Sequence, residues 1–414
     1  SACRIDVRMP SGSSGANRGT PEHPQSRTIS VPSIYRKIEK NGVSTVAYRQ
    51  IDPRRIRVRP LAERKSKHRL DEIRVDPDAP PPDPGPLKPQ IQLAAERLRA
   101  ARKRGAASIL AYGAHLVKNG LGPVVARLLE NGWITHLATN GAGTIHDWEY
   151  AFLGRSEEDV ESHVAAGCFG TWDETGRNIH LAVLAGAVRG MGYGESLGRF
   201  ICEDGCELPS REELTTSLAA WVRDPIDDPL MPARADLLQT MTRFDLPAGP
   251  LRVAHPHRDF SLTGAAYRLR VPLTVHPGIG YDIIYTHPLA NGAGLGRAAH
   301  ADFRIFVDSI LNLEGGVFLS VGSAIMAPQV FEKAMSIANN LRLQEGREVL
   351  QPFILVNDLA SVDWDWSRGE PPRDNPAYYL RFCKSFSRMG GEMVYAGGDN
   401  RVLLTNLLHA LEQG

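Results

Sequence analysis

Cysteine is scarce in this sequence, and no apolar run is long. Only 5 cysteines are spread over 414 residues, and an odd, thinly spaced set does not form the disulfide framework of a secreted protein. The longest apolar stretches, such as 181–188, fall far short of the roughly 18 residues that cross a bilayer. The N-terminus also lacks the basic-then-apolar order of a signal peptide. We therefore expect a cytoplasmic protein with no membrane partner.

The charge is balanced overall but unevenly distributed. Hydrophobic residues make up 42% and charged residues 23% of the chain, which excludes collagen-like, mucin-like and wholly disordered proteins. The net charge is +1, yet residues 1–76 contain 17 Lys and Arg against 8 Asp and Glu. No aromatic residue interrupts the densest basic run, 54–74, so we expect a solvated or intersubunit arm and no nucleic-acid partner.

Prolines mark a domain boundary near residue 86. Residues 11–24 are rich in Ser, Gly and Pro without periodicity, which predicts disorder. The closely spaced prolines of 76–86 predict an extended spacer. We expect a basic, largely irregular arm over 1–86 and a folded domain over 87–414, which opens with an amphipathic helix at 91–104.

Short buried strands alternate with helical patterns through the rest of the chain. Apolar runs bounded by Pro, Gly or acidic residues occur at 108–112, 133–138, 271–275, 317–321, 353–356 and 392–395. Such runs are typical of strands that are covered on both faces. Helical patterns lie between several of them, as at 124–130, and are clearest at 327–341 and 400–413. This alternation predicts an α/β protein with a doubly wound, mostly parallel sheet.

Small and acidic residues follow the predicted strands. The second strand runs into Thr139-Asn140-Gly141-Ala142-Gly143-Thr144, at a carboxyl end, where ligands bind in open parallel sheets. Such a loop lets backbone amides approach a phosphate; the alternative is that its glycines only make a tight turn. The loop does not match the GxGxxG dinucleotide fingerprint. Later strands end at 277–278, 322–323, 357–358 and 397–399, where a carboxylate among glycines suits a ribose hydroxyl beside a pyrophosphate.

Several of these segments occur in the order found in one known family. They are Tyr112 to Leu116 with Asn119-Gly120, Thr139 to Gly143 with His146-Asp147, Val271-Pro272 with Tyr281 to Ile284, Gly315 to Ser323, and Ala396 to Asp399. In this order they resemble deoxyhypusine synthase and its homospermidine synthase relatives over roughly residues 107–411. The resemblance implies a deoxyhypusine synthase-like NAD-binding fold and a homo-oligomer, either a dimer or a tetramer. It also implies that Asp282 faces an amine substrate.

The same resemblance implies which residues contact NAD. They are His115, Thr139, Asn140, Gly141, Gly143, Gly322, Ser323, Asn357, Asp358 and Asp399.

Departures from the family pattern concern the chemistry. The synthases have a Trp-Gly-Lys whose lysine forms the imine intermediate, whereas residues 378–384 here contain only Lys384, a poor substitute. After the strand that ends near Gly322, the family has paired histidines and an asparagine, whereas this chain has residues 326–331. The family's acidic pair beside the first glycine loop is Ile145-His146 here. The Asn-Gly-Ala-Gly, His-Asp and Glu-Thr-Gly-Arg segments are similar to those of a bacterial branch of the superfamily. We therefore expect no true deoxyhypusine transfer.

Oxidation of an amine by NAD needs a base for the ammonium proton and carboxylates that hold the cation. His146 beside Asp147 is the first candidate, because an imidazole titrates near neutral pH. The alternative is a helix-capping aspartate beside an exposed histidine. Asp282 and His287 flank another strand end and are the second candidate pair.

Two further segments are candidates for the substrate side. Asp363 and Asp365 alternate with tryptophans, and this pattern suits a cationic substrate through charge and cation–π attraction. A solvated acidic turn is the alternative. Residues 167–177 crowd small and polar residues around Cys168 and form a candidate lid.

The leading hypothesis is an NAD-dependent enzyme that oxidises a cationic amine or amino acid through an imine. One alternative is a non-catalytic NAD or nucleotide sensor on the same fold. Another is a metal-dependent hydrolase, because His255-Pro256-His257 has a metal-ligand spacing. We expect no bound metal.

Overall fold

The computed structural model describes residue 48 and residues 50–360 and 364–413. From Asp52 onward the chain forms one compact unit. The first 47 residues of the predicted arm lie outside the described residues, and so does Asp363, a predicted substrate-binding residue.

The strands in the described part of the chain are β1 (His68–Arg69), β2 (Ser108–Tyr112), β3 (His136–Thr139), β4 (Arg155–Ser156), β5 (Gly205–Leu208), β6 (Gly249–Arg252), β7 (Leu273–Val275), β8 (Val317–Val321), β9 (Phe353–Asp358) and β10 (Glu392–Gly397). Six of them form one parallel sheet in the order β10-β9-β8-β2-β3-β7. Counted along the chain from the β7 edge, this order is 3-2-1-4-5-6, in which two mononucleotide-binding halves meet between the first and fourth strands. β1 pairs with β4 and β5 with β6, both antiparallel.

The α-helices in the same residues are α1 (Leu70–Ile73), α2 (Lys88–Arg104), α3 (Ala114–Lys118), α4 (Gly122–Glu130), α5 (Gly141–Leu153), α6 (Val160–Ala165), α7 (Asp173–Ala187), α8 (Tyr193–Cys202), α9 (Arg211–Arg223), α10 (Met231–Arg243), α11 (Leu262–Leu269), α12 (Gly292–Leu311), α13 (Met326–Gln344), α14 (Arg381–Ser387) and α15 (Asn400–Glu412). None of these helices has a stretch that is both long and apolar enough to span a bilayer.

Helices cover both faces of the sheet, as the side chains of β2 show. All five residues of this strand are buried. Leu110 and Tyr112 pack in a core that includes α2 and α4, whereas Ile109 and Ala111 pack in a second core that includes α12 and α13. Because successive side chains of a strand point to opposite faces, the continuous apolar run follows from this two-sided burial. The predicted doubly wound α/β class is confirmed.

Residues 52–86, which the sequence assigns to the arm, belong to the compact unit. Leu61 is completely buried in the first core, and Leu70 joins it there. Arg64 is buried as well, because it forms an ion pair with Glu149 on α5. The folded unit therefore begins before the proline-rich stretch, which runs along its surface as a largely exposed connection to α2.

Two boundaries also differ from the sequence expectation. The strand predicted at 133–138 begins only at His136, because the preceding residues form a turn after α4. The small-residue loop after β3 is short, since Gly141 already begins α5. His146 and Asp147 therefore lie in the second turn of a helix and not in a loop.

Candidate functional site

The switch point between the two halves of the sheet is closely packed. The Gly113 N–H, after β2, donates to the carbonyl of Val321 on β8 at 3.1 Å. A Cβ atom on Gly113 would lie 2.0 Å from the Gly322 carbonyl oxygen, so only glycine fits there. Gly322 itself has a φ of 59°, and a Cβ atom added to it would meet only the Asn400 amide, at 3.9 Å. The Gly322 backbone thus faces open space at the carboxyl edge of the sheet.

That space is a cavity of about 380 Å³, which we call the strand-end cavity. It is lined by residues at or just after the ends of β8, β9 and β10 and by residues of α3 or directly after it: His115, Asn119, Gly322, Asn357, Asp358, Leu359, Gly398, Asp399, Asn400 and Arg401. The residues among them that the family resemblance assigns to NAD are His115, Gly322, Asn357, Asp358 and Asp399. The parallel strands bring these residues together because all their carboxyl ends lie at one edge.

Hydrogen bonds hold the walls of the strand-end cavity. The Asn357 amide donates to the carbonyls of Ala396 and Gly398, at 2.7 and 2.9 Å, and so joins the ends of β9 and β10. Asp399 caps α15 by accepting from the Arg401 N–H at 2.8 Å. The hydrogen bond from the Arg401 side chain lowers the pKa of Asp399, so this carboxylate is ionised at neutral pH.

The small-residue loop after β3 does not line the strand-end cavity. Asn140 caps α5 by accepting from the Gly143 N–H at 2.9 Å, and the Thr139 hydroxyl donates to the Tyr112 carbonyl at 3.0 Å. A Cβ atom on Gly141 would lie 2.5 Å from the Asp282 carboxyl group, and one on Gly143 would lie 2.2 Å from Thr139 Oγ1. Close packing therefore accounts for both glycines.

A second cavity, of about 400 Å³, lies beside this loop, and we call it the charged cavity. Its lining residues are Arg64, Lys67, Lys118, Ala142, Ile145, His146, Glu149, Glu157, Glu158, Val160, Phe169, Tyr281, Asp282 and Ile283. Glu157 to Val160 and Phe169 belong to the stretch around α6, so part of the predicted lid segment lies at this cavity. Cys168 is buried in the first core.

Ion pairs neutralise most charges of the charged cavity. Arg64 pairs with Glu149 at 2.6 Å, and Lys118 pairs with Glu157 at 3.0 Å. The third cation of the lining, Lys67, pairs with Asp159, 3.2 Å away and outside the lining. Two carboxylates, those of Asp282 and Glu158, have no Lys or Arg partner among the described residues. The cavity therefore has more negative than positive charge available to a ligand.

These two carboxylates are held by weaker partners. Asp282 accepts from the Gly278 N–H at 2.7 Å, and burial raises its pKa to about 6. Glu158 accepts from the Trp172 indole at 2.9 Å and lies 2.9 Å from Nδ1 of the His163 ring, and burial raises its pKa as well. A cation entering the cavity would relieve the cost of burying both charges.

The short helix α3 separates the two cavities. His115 and Asn119 line the strand-end cavity, whereas Lys118 lines the charged cavity. Partial burial lowers the pKa of His115, and the carboxylates of Glu157 and Asp358, one from each cavity, oppose that shift. Both cavities thus lie along one carboxyl edge of the sheet, within electrostatic reach of the same imidazole.

Some predicted residues lie outside both cavities. Ser323 accepts from the Ala327 N–H, at the start of α13. Asp147 is completely buried and accepts from the Ser261 hydroxyl and from the N–H groups of Leu262 and Thr263, at 2.6–3.1 Å. This network caps α11 at its N-terminus. Asp147 therefore has the capping role that the sequence left as its alternative.

The other predicted residues occupy two further places. His287 Nε2 lies 3.3 Å from Asp173, and its Nδ1 accepts from the Leu289 N–H. Asp365 accepts from the N–H and hydroxyl of Ser367 in an exposed turn.

The Lys384 ammonium pairs with Glu370 at 2.9 Å and lies over the Tyr378 ring, outside both cavities. In the motif His255-Pro256-His257, the His255 ring packs among the aromatic rings of Trp148, Phe152 and Phe200.

Within residues 48, 50–360 and 364–413, no three His, Cys, Asp or Glu side chains converge as a metal-binding group. A larger cavity, of about 610 Å³, opens beside β7 and is lined by residues that include Arg270 and Asp302. None of the residues predicted from the sequence lines it.

Sequence reasoning missed six charged residues of the charged cavity: Arg64, Lys67, Lys118, Glu149, Glu157 and Glu158. Glu149 follows His146 by three positions, so both project from one side of α5, and this spacing was an available signal. Arg64 had no such signal, because it is 85 positions from its partner Glu149.

The fold defines the class of this chain: it is an α/β protein with a doubly wound parallel sheet, and two of its cavities lie at the carboxyl edge, where ligands bind in such sheets. No family model and no curated protein matches the chain. Solved structures overlap it at low identity. AgrE in its ternary complex with ornithine and NAD+ has a TM-score of 0.39 and 13% identity, over 79% of this chain and 33% of that chain. This chain thus spans about a third of AgrE.

In two further solved structures, the overlap with this chain covers a larger share of the other protein. A protein of Methanococcus maripaludis S2 with the provisional name LOR/SDH has a TM-score of 0.39 and 12% identity, over 83% of this chain and 73% of that chain. A protein of Entamoeba histolytica with the provisional name deoxyhypusine synthase has a TM-score of 0.34 and 10% identity, over 79% and 87%.

Proposed function

We propose that this chain binds NAD along the carboxyl edge of its sheet and oxidises a cationic amine or amino acid through an imine. The observation that carries the proposal is the pair of adjacent cavities on either side of α3. One lies at the switch point between the halves of a 3-2-1-4-5-6 sheet, and the other contains two carboxylates without a Lys or Arg partner among the described residues.

The residues of the strand-end cavity fit a dinucleotide. Carboxylates of Asp358 and Asp399 are suited to ribose hydroxyls, because an ionised carboxylate accepts two hydrogen bonds. The exposed backbone at Gly322 allows close approach of a ligand. A cavity of about 380 Å³ is within the usual range for ligand sites. When bound, NAD+ supplies a hydride acceptor.

The residues of the charged cavity fit a cationic substrate. An ammonium group would bind between Asp282 and Glu158, where its charge replaces the missing Lys or Arg partner of each. Asp282, with a pKa of about 6, is ionised at neutral pH and is poised to accept a proton from the substrate nitrogen. Loss of that proton gives the neutral amine, and transfer of a hydride from the adjacent carbon to the cofactor would then give a protonated imine.

Lysine-linked transfer is not part of the proposal. An imine-forming lysine must be a neutral amine, whereas Glu370 and Tyr378 raise the pKa of Lys384. Its ammonium also lies outside both cavities.

Thermal-shift titration of the purified chain with NAD and NADP tests the cofactor. A ligand at 100 times its Kd stabilises a protein by about 2.7 kcal/mol, which such a titration detects. We expect a shift with NAD that Asp399→Asn weakens, since asparagine keeps the helix cap but not the charge. Asp245→Asn is the matched control, because Asp245 is an exposed aspartate that also pairs with an arginine.

Turnover is tested by NADH formation across a panel of diamines and basic amino acids. We expect activity that Asp282→Asn lowers by about 100-fold or more and that Asp302→Asn retains. Asp302 is the matched control, because it too is a buried aspartate that accepts from two backbone N–H groups. Absence of any NAD shift would overturn the proposal, and NAD binding without turnover would leave only the sensor function.

A further inference from the structure

The charged cavity has a chain of buried hydrogen bonds behind one of its walls. Arg64 Nη1 and Nη2 donate to the two oxygens of Glu149 at 2.8 and 2.6 Å. Ser156 Oγ lies 2.5 Å from Glu149 Oε2 and 2.7 Å from His146 Nδ1. The chain therefore runs from a buried guanidinium to an imidazole that lines the cavity.

Each proton in this series of hydrogen bonds has one allowed position, and the protonation of Glu149 determines the rest. Burial alone would raise the pKa of Glu149, but the Arg64 guanidinium outweighs burial and the pKa lies below its ordinary value. Glu149 is therefore ionised and only accepts hydrogen bonds. The Thr175 hydroxyl, 2.9 Å away, donates to its other oxygen.

The serine transmits this constraint to the histidine. A hydroxyl has one proton, and Ser156 must donate it to Glu149, because the carboxylate cannot donate. The contact between Ser156 and His146 then requires a proton on Nδ1, which donates to the hydroxyl oxygen. A neutral imidazole with Nδ1 protonated has its lone pair on Nε2.

The Nε2 atom of His146 accepts no hydrogen bond from any residue that the structure describes. Burial lowers the pKa of His146 to about 4, and the charged groups that act on it are Glu149, Lys118, Glu157 and Arg64. The imidazole is therefore neutral at pH 7 despite two nearby carboxylates. Asp282 and Glu158 share the same cavity with it.

We infer that Arg64, Glu149 and Ser156 are positioning residues that hold His146 in its Nδ1-protonated form, so that Nε2 accepts a hydrogen bond from a substrate N–H in the charged cavity. The substrate-facing part rests on the proposed function, whereas the protonation of His146 does not. The two cavity groups then have separate roles, because Asp282 attracts the cation and His146 orients one of its N–H bonds.

The experiment is long-range 1H–15N NMR of the full chain labelled with 15N-histidine, without ligand. His146→Gln assigns the His146 signals, and the pattern of the two ring nitrogens reports which one is protonated. We expect a single Nδ1-protonated form that does not titrate between about pH 6 and pH 8.

Variants test the origin of that form. Ser156→Ala removes the acceptor for Nδ1–H, so we expect the single form to be replaced by a mixture or by the Nε2-protonated form. Ser156→Thr keeps a hydroxyl and should restore it. The matched control is Ser309→Ala, because the Ser309 hydroxyl lies 2.7 Å from Nδ1 of another buried histidine, His136. This variant should leave the His146 signals unchanged.

The results separate the inference from the proposed function. An Nε2-protonated or charged His146 in the unaltered chain overturns the inference, even if Ser156→Ala does not fold. An unchanged pattern in folded Ser156→Ala also overturns it. Failure of NAD to shift the thermal transition refutes the proposed function and leaves the measured protonation of His146 as it stands.

Discussion

Replacing Arg64 by methionine should destabilise this protein strongly, because it removes the charge that neutralises Glu149. Both side chains are at most 2% exposed. Methionine keeps the apolar stem and most of the length of arginine but leaves a buried carboxylate without its cation. Breaking a buried pair in this way costs about 3–5 kcal/mol, so we expect the free energy of unfolding at pH 7 to fall by about that amount.

Urea denaturation followed by circular dichroism measures this loss, and a thermal scan measures it independently. At about 2.1 cal/mol/K of unfolding entropy per residue, the unit from Asp52 onward corresponds to roughly 0.8 kcal/mol/K. The expected decrease in Tm is therefore about 4–7 °C.

The pH dependence identifies the cause. In the unaltered chain the pKa of Glu149 lies below its ordinary value of 4.5, so its contribution to stability is present above that pH and is lost as the pH falls through the folded pKa. Without Arg64, burial raises the pKa of Glu149, and the folded state loses stability as the pH rises above about 4.5. The deficit of Arg64→Met should thus be larger at pH 7 than at pH 4.

Two further variants make the reasoning refutable. Arg211→Met breaks an exposed pair with Asp245 and should cost only about 0–1 kcal/mol. Combining Arg64→Met with Glu149→Met should recover much of the loss, because no unpaired charge remains. A cost for Arg64→Met that equals that of Arg211→Met, or that is the same at both pH values, would show that the ion pair does not stabilise this region.

Three other changes have definite expected outcomes. Gly113→Ala should cost about 1–3 kcal/mol in urea denaturation, because its Cβ would lie 2.0 Å from a carbonyl oxygen, whereas Gly296→Ala, in an open position within α12, should stabilise by about 0.5–1 kcal/mol. Burial raises the pKa of Asp302 to about 7. The free energy of unfolding of the unaltered chain should therefore fall by up to roughly 4 kcal/mol between about pH 4 and pH 7, and Asp302→Asn should remove this pH dependence. Asp282→Asn should lower kcat/KM for an oxidised amine by about 100-fold or more and abolish its rise through about pH 6, where the Asp282 carboxyl group ionises.

The strands of the sheet were predictable because a strand that is buried on both faces consists of consecutive apolar residues. β8 has five consecutive buried residues, and its apolar run ends at a glycine. The same holds for β2. The helix after β10 was predictable as well, because its apolar residues recur with helical spacing. These features depend on residues that are neighbours in the chain.

The charged cavity depends on contacts that local sequence patterns do not predict. His146 and Asp147 are adjacent in the sequence, yet His146 lines the cavity and Asp147, on another face of α5, caps α11. The cap joins Asp147 to Ser261, 114 positions away. The sequence also placed Arg64 in an irregular arm, because nothing near it indicates that its guanidinium lies inside the protein.

By itself, the sequence determined the class of fold, most of its strands and the presence of small and acidic residues at their carboxyl ends, since each follows from the burial or backbone freedom of a short segment. Only the tertiary structure decided which strand ends are neighbours, which carboxylates have a cationic partner and which hydroxyl lies beside Nδ1 of His146. Those properties depend on contacts between residues far apart in the chain, and the energies of charges and hydrogen bonds are set by the groups that surround them in space.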